Sequence, residues 1–335
     1  MTLTAQLYDR LSSLVVSSGW RRGKGTPPPA PDALIGAARA LTELQSETRG
    51  MAVAADILAG YAALDDPEKR IFFEGLRDGF DPDHAALARA AKVWLDKGSP
   101  ADLEALSRLA EPPRQELLRR LNMAQGGTVR LVGMRADLLR LTGRDRTFAR
   151  VDADFRHLLR SWFNRGFLQL LRIDWHSPAL LLEKLIEYEA VHEIRDFRDL
   201  QRRVLPVDRR CYAYMHPAMP DEPLIFVEVA LTRGLPDSVQ ALIDESRAPL
   251  DPEDADTAVF YSISNCQSGL AGISFGNLLI KNVVAELSRE LPELATFVTL
   301  SPIPGLRAWL EERAAAGEAE ATALLRDPQP GPLTA

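Results

Sequence analysis

Apolar positions recur at helical spacing through the first half of the chain and change to clustered β-branched and aromatic runs in the second. Leu3, Leu7, Leu11, Leu14 and Val15 share one face of a helical start, and the proline-rich segment 25–31 interrupts it as a loop. From there to about Leu64 the chain is rich in Ala and Leu at helical spacing. Asp65-Asp66-Pro67 reads as a helix start, an Asp cap followed by Pro where its missing N–H costs nothing. Phe72, Phe73 and Leu76 give that helix its apolar face. Asp81-Pro82 repeats the signal ahead of Leu87, Ala91 and Leu95, and Ser99-Pro100-Ala101-Asp102 repeats it with capping-box spacing. Pro112-Pro113 closes that helix and opens another running to Asn122; Gly126-Gly127 is a joint. Two amphipathic helical stretches follow, Leu131–Leu141 and Phe155–Leu171. No repeat of fixed period is present, and the first half is a helical bundle packed through Leu and Ala.

Ser177-Pro178 caps a helix through Ala190, and a second helix spans Asp196–Val204. Cys211–Met215, Leu224–Leu231, Ala258–Ser264 and Thr296–Leu300 carry strand composition, with a helix over Phe275–Leu291 and another over Trp309–Leu325. Strand, Gly-containing turn, helix and strand make a mixed α/β unit.

The chain has 335 residues, 40 basic and 47 acidic, for a formal charge of −7, with 46% hydrophobic and 26% charged residues. The length predicts two domains, each able to bury a core. The mild acidity argues against nucleic acid as the partner, and the lack of an apolar run of about 18 residues argues against a membrane span. Two cysteines, Cys211 and Cys266, make neither a disulfide framework nor a zinc site, so a reducing cytoplasm is the expected location. The start does not read as a secretory signal, and Asp9 counts against reading Arg10, Arg21 and Arg22 as a transit segment.

The stretch Phe260–Lys281 carries the first candidate chemistry. A strand runs into Gln267, Gly269, Gly272 and Gly276, and a helix begins there. Glycines let backbone approach a ligand, and the first amides of a helix attract anions, most naturally a phosphate or pyrophosphate. The spacing is neither the P-loop nor the dinucleotide fingerprint, and a tight turn needing glycine for packing alone reads equally well. In the second stretch, Thr296–Leu306, Ser301 ends a strand and Pro302 biases it toward extended geometry. Ligands gather at the carboxyl ends of strands in open α/β sheets, so Ser301 either presents a fixed hydroxyl there or caps the following turn.

Phe260–Lys281, Leu300-Ser-Pro-Ile-Pro-Gly305 and Glu222–Leu231 together resemble the malonyl-CoA decarboxylase family, as do Trp175-His-Ser-Pro178, Glu189-Ala-Val-His192 and Arg209-Arg-Cys211. The resemblance runs from about Asp174 to Trp309, and the helical first half suits it. It implies an α+β protein: a helical oligomerisation domain over 1–172, then an N-acetyltransferase-like (GNAT-like) acyl-CoA domain over 173–335. Carried over by position, the acyl-CoA-contacting residues are Ala271, Gly272, Ile273, Ser274, Phe275, Gly276 and Asn277, with no catalytic role for Ser274. Ser301 matches the family's active-site serine. The implied reaction converts malonyl-CoA to acetyl-CoA and carbon dioxide in fatty-acid and malonate metabolism. It uses no metal and no prosthetic group, because the CoA thioester is itself the electron sink. The implied partners are malonyl-CoA or acetyl-CoA and further copies of the chain, with no nucleic acid or membrane.

The resemblance also implies a histidine well after the serine as proton donor. The five histidines here are His84, His157, His176, His192 and His216, all before Ser301. The expectation is therefore a shortened catalytic domain whose sheet lacks its last strands and whose turnover is in doubt. His216, in a loop after a strand, could in principle donate the proton instead; a loop histidine bonded to its own turn is the simpler reading. Alternatives are an acyl-CoA-binding or oligomerisation protein without catalysis, and an N-acetyltransferase.

Overall fold

The computed structural model describes residues 30–143, 145–236, 238–244, 246–301, 303 and 305–326. The helical spacing of residues 3–15, most of the proline-rich loop before Pro31, the residues Pro302 and Pro304, and the terminal Pro-rich tail lie outside them. The chain divides into two units. The first holds the described residues through Leu168 together with Pro217–Met219 and Gln267–Ser274; the second holds the rest.

Among the described residues, eight α-helices build the first unit: α1 Pro31–Glu43, α2 Glu47–Ala62, α3 Asp66–Gly79, α4 His84–Lys97, α5 Pro100–Ala110, α6 Pro113–Asn122, α7 Gly127–Thr142 and α8 Ala149–Trp162. Ser46 caps α2 and splits the Ala/Leu-rich stretch into two helices. At α3 the cap is Asp65, one residue earlier than Pro67 suggested, and Asp65 and Glu68 close a reciprocal capping box. At α4 the cap is Asp83, whose Oδ1 accepts from the Ala85 and Ala86 amides. Asp81 instead accepts from Arg114 and Arg150. Tyr61, Phe72 and Phe73 meet edge to face in the core, and Leu117, Leu121, Leu131 and Leu138 are also buried. α4 and α5 bury no residue.

The helical reading of Phe155–Leu171 is corrected. α8 stops at Trp162, the Asn164 side chain takes the Gly166 amide in a short 3-10 turn, and Gln169–Ile173 is a strand, β1. The chain there forms backbone pairs with a neighbouring strand, which local spacing does not report.

The second unit is a five-stranded sheet in sequence order: β1, β2 Arg209–Met215, β3 Ile225–Thr232, β4 Thr257–Asn265 and β5 Thr296–Thr299. The first three pairings are antiparallel and β4–β5 is parallel. The parallel pair needs a crossover, supplied by α12 Gly276–Glu290. The remaining helices are α9 Ala179–Tyr188, α10 Phe197–Val204, α11 Val239–Ile243, α13 Leu306–Ala315 and α14 Ala319–Arg326. The single C-terminal helix expected is thus two, parted at Gly317, whose φ is +90°. Ser177 does not cap α9; its hydroxyl accepts the Asp174 amide.

Alternation sorts the strands' side chains. Cys211, Ala213 and Phe226 pack with Leu181, Leu185 and Leu200 of α9 and α10, and Ala230, Val259 and Tyr261 pack with Leu242 of α11. On the opposite face the Tyr214 hydroxyl accepts from Asn282, and Arg210 pairs with Glu290, both partners on α12. The sheet is therefore covered on both faces, and β2, β3 and most of β4 are buried throughout. Helical first half and mixed sheet together make an α+β protein.

Candidate acyl-CoA site

β4 and β5 run parallel, so their carboxyl ends point the same way; the Leu300 amide donates to the Phe260 carbonyl at 2.9 Å and extends the pairing to the residue before Ser301. Ser301 is exposed beyond that end. α13 starts at Leu306 with Gly305 at its cap, so Ser301 does not cap it.

After β4 the chain leaves the second unit, runs through Gln267–Ser274 in the first, and returns at Phe275. The seven predicted acyl-CoA residues are consecutive, with Ala271–Ser274 in the first unit and Phe275–Asn277 in the second. Two of the glycines are required, for different reasons. Gly272 has φ +77°, a conformation L side chains rarely adopt, while a β-carbon there would make only ordinary contact, 3.9 Å from Arg156 Cδ. Gly269 has an ordinary φ, but a β-carbon there would lie 1.9 Å from the Val132 carbonyl oxygen. At Gly276 a β-carbon would make ordinary contact, 3.6 Å from Ile225 Cδ1, so that glycine is not demanded by packing or conformation. The packing explanation of the turn thus holds at Gly269 alone.

Sequence reasoning missed the group that holds this turn. Arg135, on α7, is 2% exposed. Its Nη1 donates to the carbonyls of Gly269 at 2.7 Å and Ala271 at 2.8 Å, and its Nε donates to Asp152 at 2.8 Å. The signal was available: Arg135 sits at i+4 from Leu131 and three residues before Leu138, on the apolar stripe of its helix. A charge on such a stripe must find partners.

α12 opens without a side-chain cap and without an acidic residue in its first turn. Its first backbone bond runs from the Leu279 amide to the Phe275 carbonyl, which leaves the Gly276, Asn277 and Leu278 amides without helical partners. Phe275 is buried, while Asn277 is exposed. The positive end of the helix dipole and these amides favour an anion beside Phe275–Asn277.

No hydrogen bond joins Ser301 to Phe275–Asn277 among the described residues. His84, His157 and His176 are exposed and His216 is buried. His192 is held below the ordinary imidazole range by burial, with Glu189 opposing. Glu189 accepts from the Ser262 and Ser264 hydroxyls and the Val191 and His192 amides, so it is a structural anchor between α9 and β4. Among the described residues no group of three or more His, Cys, Asp or Glu side chains is placed to hold a metal, and no helix is long and apolar enough to cross a membrane.

Comparison with known proteins bears directly on this arrangement. Residues 80–163 match the family model of the malonyl-CoA decarboxylase N-terminal domain, and residues 166–329 match that of the C-terminal domain. A malonyl-CoA decarboxylase from Rhodopseudomonas palustris has a solved structure that is 52% identical, with a TM-score of 0.82, covering 86% of this chain and 70% of that one. One from Agrobacterium vitis is 48% identical with a TM-score of 0.82, covering 88% and 74%. The mitochondrial malonyl-CoA decarboxylase of Mus musculus is 36% identical over 272 residues, which are 76% of this chain and 55% of the relative. The chain thus spans about half the length of that curated relative. Helices α4 to α8, the sheet domain and the glycine turn between β4 and α12 fall within the matched regions, and the chain belongs to the malonyl-CoA decarboxylase family.

Proposed function

We propose that this chain binds malonyl-CoA along Ala271–Asn277 and decarboxylates it to acetyl-CoA and carbon dioxide. The observation that carries the reading is the uncapped start of α12, three amides open to a phosphate directly after a glycine turn. In this reading Phe275, Gly276 and Asn277 take the CoA pyrophosphate through backbone amides. Ala271, Gly272, Ile273 and Ser274 line its path, with side chains small enough at Ala271 and Gly272 for close approach. Ser301 engages the malonyl carboxylate. The bond between that carboxylate and the α-carbon breaks, carbon dioxide leaves, and the electron pair moves onto the thioester as an enolate. A proton taken up from solvent then adds to that carbon, giving acetyl-CoA. The thioester accepts the charge, so the reading invokes no prosthetic group.

Fatty-acid and malonate metabolism, a cytoplasmic location and a homo-oligomer complete the proposal. Exposed Val93, Leu95, Leu103 and Leu109 on α4 and α5 support self-association through the helical unit, and the free, buried Cys211 and Cys266 suit a reducing compartment. A second reading, acyl-CoA binding without turnover, is favoured by one observation: among the described residues no hydrogen bond ties the Ser301 hydroxyl to Phe275–Asn277.

Isothermal titration with malonyl-CoA and a coupled acetyl-CoA assay separate these readings. Binding with acetyl-CoA formation, lost in Ser301→Ala, supports decarboxylation. Binding without turnover supports the second reading, and a folded sample giving no heat ends both.

A further inference from the structure

On the face of the sheet covered by α10 and α11, the second unit contains a cavity of about 80 Å³. A water needs about 10–15 Å³ of such space, so the cavity has room for several waters or one compact polyatomic ion. Its lining carries four guanidinium groups against three carboxylates. Arg202 and Asp199, at its rim, pair with each other at 2.9 Å.

Deeper in, Arg203, Asp208, Arg209 and Tyr261 are all buried, and each has one polar atom without a hydrogen-bond partner among the described residues. These atoms are Arg203 Nε, Arg209 Nη1, the Tyr261 hydroxyl and Asp208 Oδ1. Glu228 Oε1 is likewise without a hydrogen-bond partner among the described residues, but Glu228 does not line the cavity. Asp208 Oδ2 accepts from Arg247 and from the Leu250 amide, and stands 3.9 Å from Arg209 Nη1. Glu228 accepts from Arg203 at 3.1 Å. Burial pushes the Glu228 carboxyl up to about 7, against the pull of Arg203, so near neutrality it supplies only part of a charge. Burial also holds the Arg209 guanidinium below its ordinary range, with Tyr261 and Asp208 opposing.

Along the cavity lining, buried donors without acceptors and one buried acceptor without a donor, Asp208 Oδ1, define a ligand chemistry. Guanidinium and phenol groups want anionic oxygens. Asp208 Oδ1 wants an O–H. A halide offers no O–H, and a fully ionised oxyanion would leave Asp208 facing like charge. We propose that this cavity binds one compact oxyanion that keeps a proton, of the hydrogencarbonate or hydrogenphosphate class. Arg203 Nε, Arg209 Nη1 and the Tyr261 hydroxyl donate to its oxygens, and its own O–H donates to Asp208 Oδ1. The cavity is separate from the predicted acyl-CoA residues of the second unit, because α12 packs on the opposite face of the sheet. The inference stands whether or not the chain turns over malonyl-CoA.

The test uses the full chain, titrated with bicarbonate and with phosphate in separate arms, at ionic strength held constant with chloride. Calorimetry and thermal unfolding are the readouts. The expected result is saturable one-to-one binding with a rise in Tm in at least one arm, and the tighter arm identifies the source. Tyr261→Phe removes one hydroxyl donor, and is expected to weaken binding roughly tenfold; Arg209→Lys, which loses the fork, is expected to weaken it further. Saturating malonyl-CoA should leave the titration unchanged. No saturable effect beyond chloride, equal affinity in both folded variants, or displacement by malonyl-CoA would each overturn the proposal.

Discussion

Gly269 is pressed against the backbone of α7: a β-carbon on it would fall 1.9 Å from the carbonyl oxygen of Val132. Backbone cannot swing aside as a flexible side chain can, so Gly269→Ala must part the turn from the helix. The expected cost is about 3 kcal/mol of stability, at the upper end of overpacking penalties, with a loss of malonyl-CoA affinity. Gly276→Ala is the control. Its β-carbon meets Ile225 Cδ1 at 3.6 Å, and it starts a helix where alanine is preferred. Its urea midpoint should stay close to that of the parent, and a matching loss in both variants would refute the distinction.

Arg135 acts on the same turn by attraction. Its Nη1 holds two carbonyls while its Nε is anchored by Asp152. Arg135→Met keeps the apolar stem but leaves both carbonyls and the Asp152 carboxylate short of a donor. Amides of Gln267–Ser274 should then exchange with solvent at least tenfold faster, while those of β2 and β3 keep their protection. Unchanged exchange in the turn would show that Arg135 is not what holds it.

These two residues show where the sequence was legible and where it was not. Ser99, Asp196 and the Pro112-Pro113 pair announce helix ends because caps act within three or four residues. The strands β2, β3 and β4 are legible because β-branched and aromatic residues cluster in each, despite polar interruptions such as Glu228, Ser262 and Ser264. β1 is not: its burial is slight, and only pairing with Cys211–Met215 makes it a strand. Asp83 took the cap expected of Asp81 because Asp81 is engaged by Arg114, thirty-three residues further along. The tie from Arg135 to Gly269 spans 134 residues, so no local pattern could name its partner, although a charge on an apolar stripe announces that one exists.

Glu228 predicts a pH effect on stability. It is fully buried, and burial raises its carboxyl from 4.5 to about 7, with Arg203 pulling down and Glu189 pushing up. The folded chain therefore holds this proton more tightly than the unfolded chain. The stabilisation is complete below about pH 4.5 and is lost as pH rises through about 7. Its size is on the order of 3 kcal/mol. His192 contributes the opposite slope, so the informative quantity is a difference. The gap in unfolding free energy between the parent and Glu228→Gln should change by about 2–3 kcal/mol between pH 4.5 and 8, moving in favour of the variant as pH rises. A gap that stays constant across that range would show that Glu228 does not titrate there.

Arg114 makes the strongest claim on the helical unit. It is fully buried, and its guanidinium donates to Asp154 at 2.8 Å, to Asp81 at 2.9 Å and to the Leu76 carbonyl at 2.9 Å. Asp154 is itself nearly buried and has one other donor, Gln115, at 2.7 Å. Removing the cation strands that carboxylate in a poorly solvated place, so Arg114→Met should cost about 3–5 kcal/mol. Most of that cost comes from the orphaned charge rather than from a large net gain of the pair. The double variant Arg114→Met/Asp154→Leu removes both charges and fills similar volume, so it should recover more than half of the loss in urea unfolding at pH 7. A double variant no more stable than the single one would locate the cost in the Leu76 carbonyl and the packing of the stem, and would show that the ion pair is not what the helices are organised around.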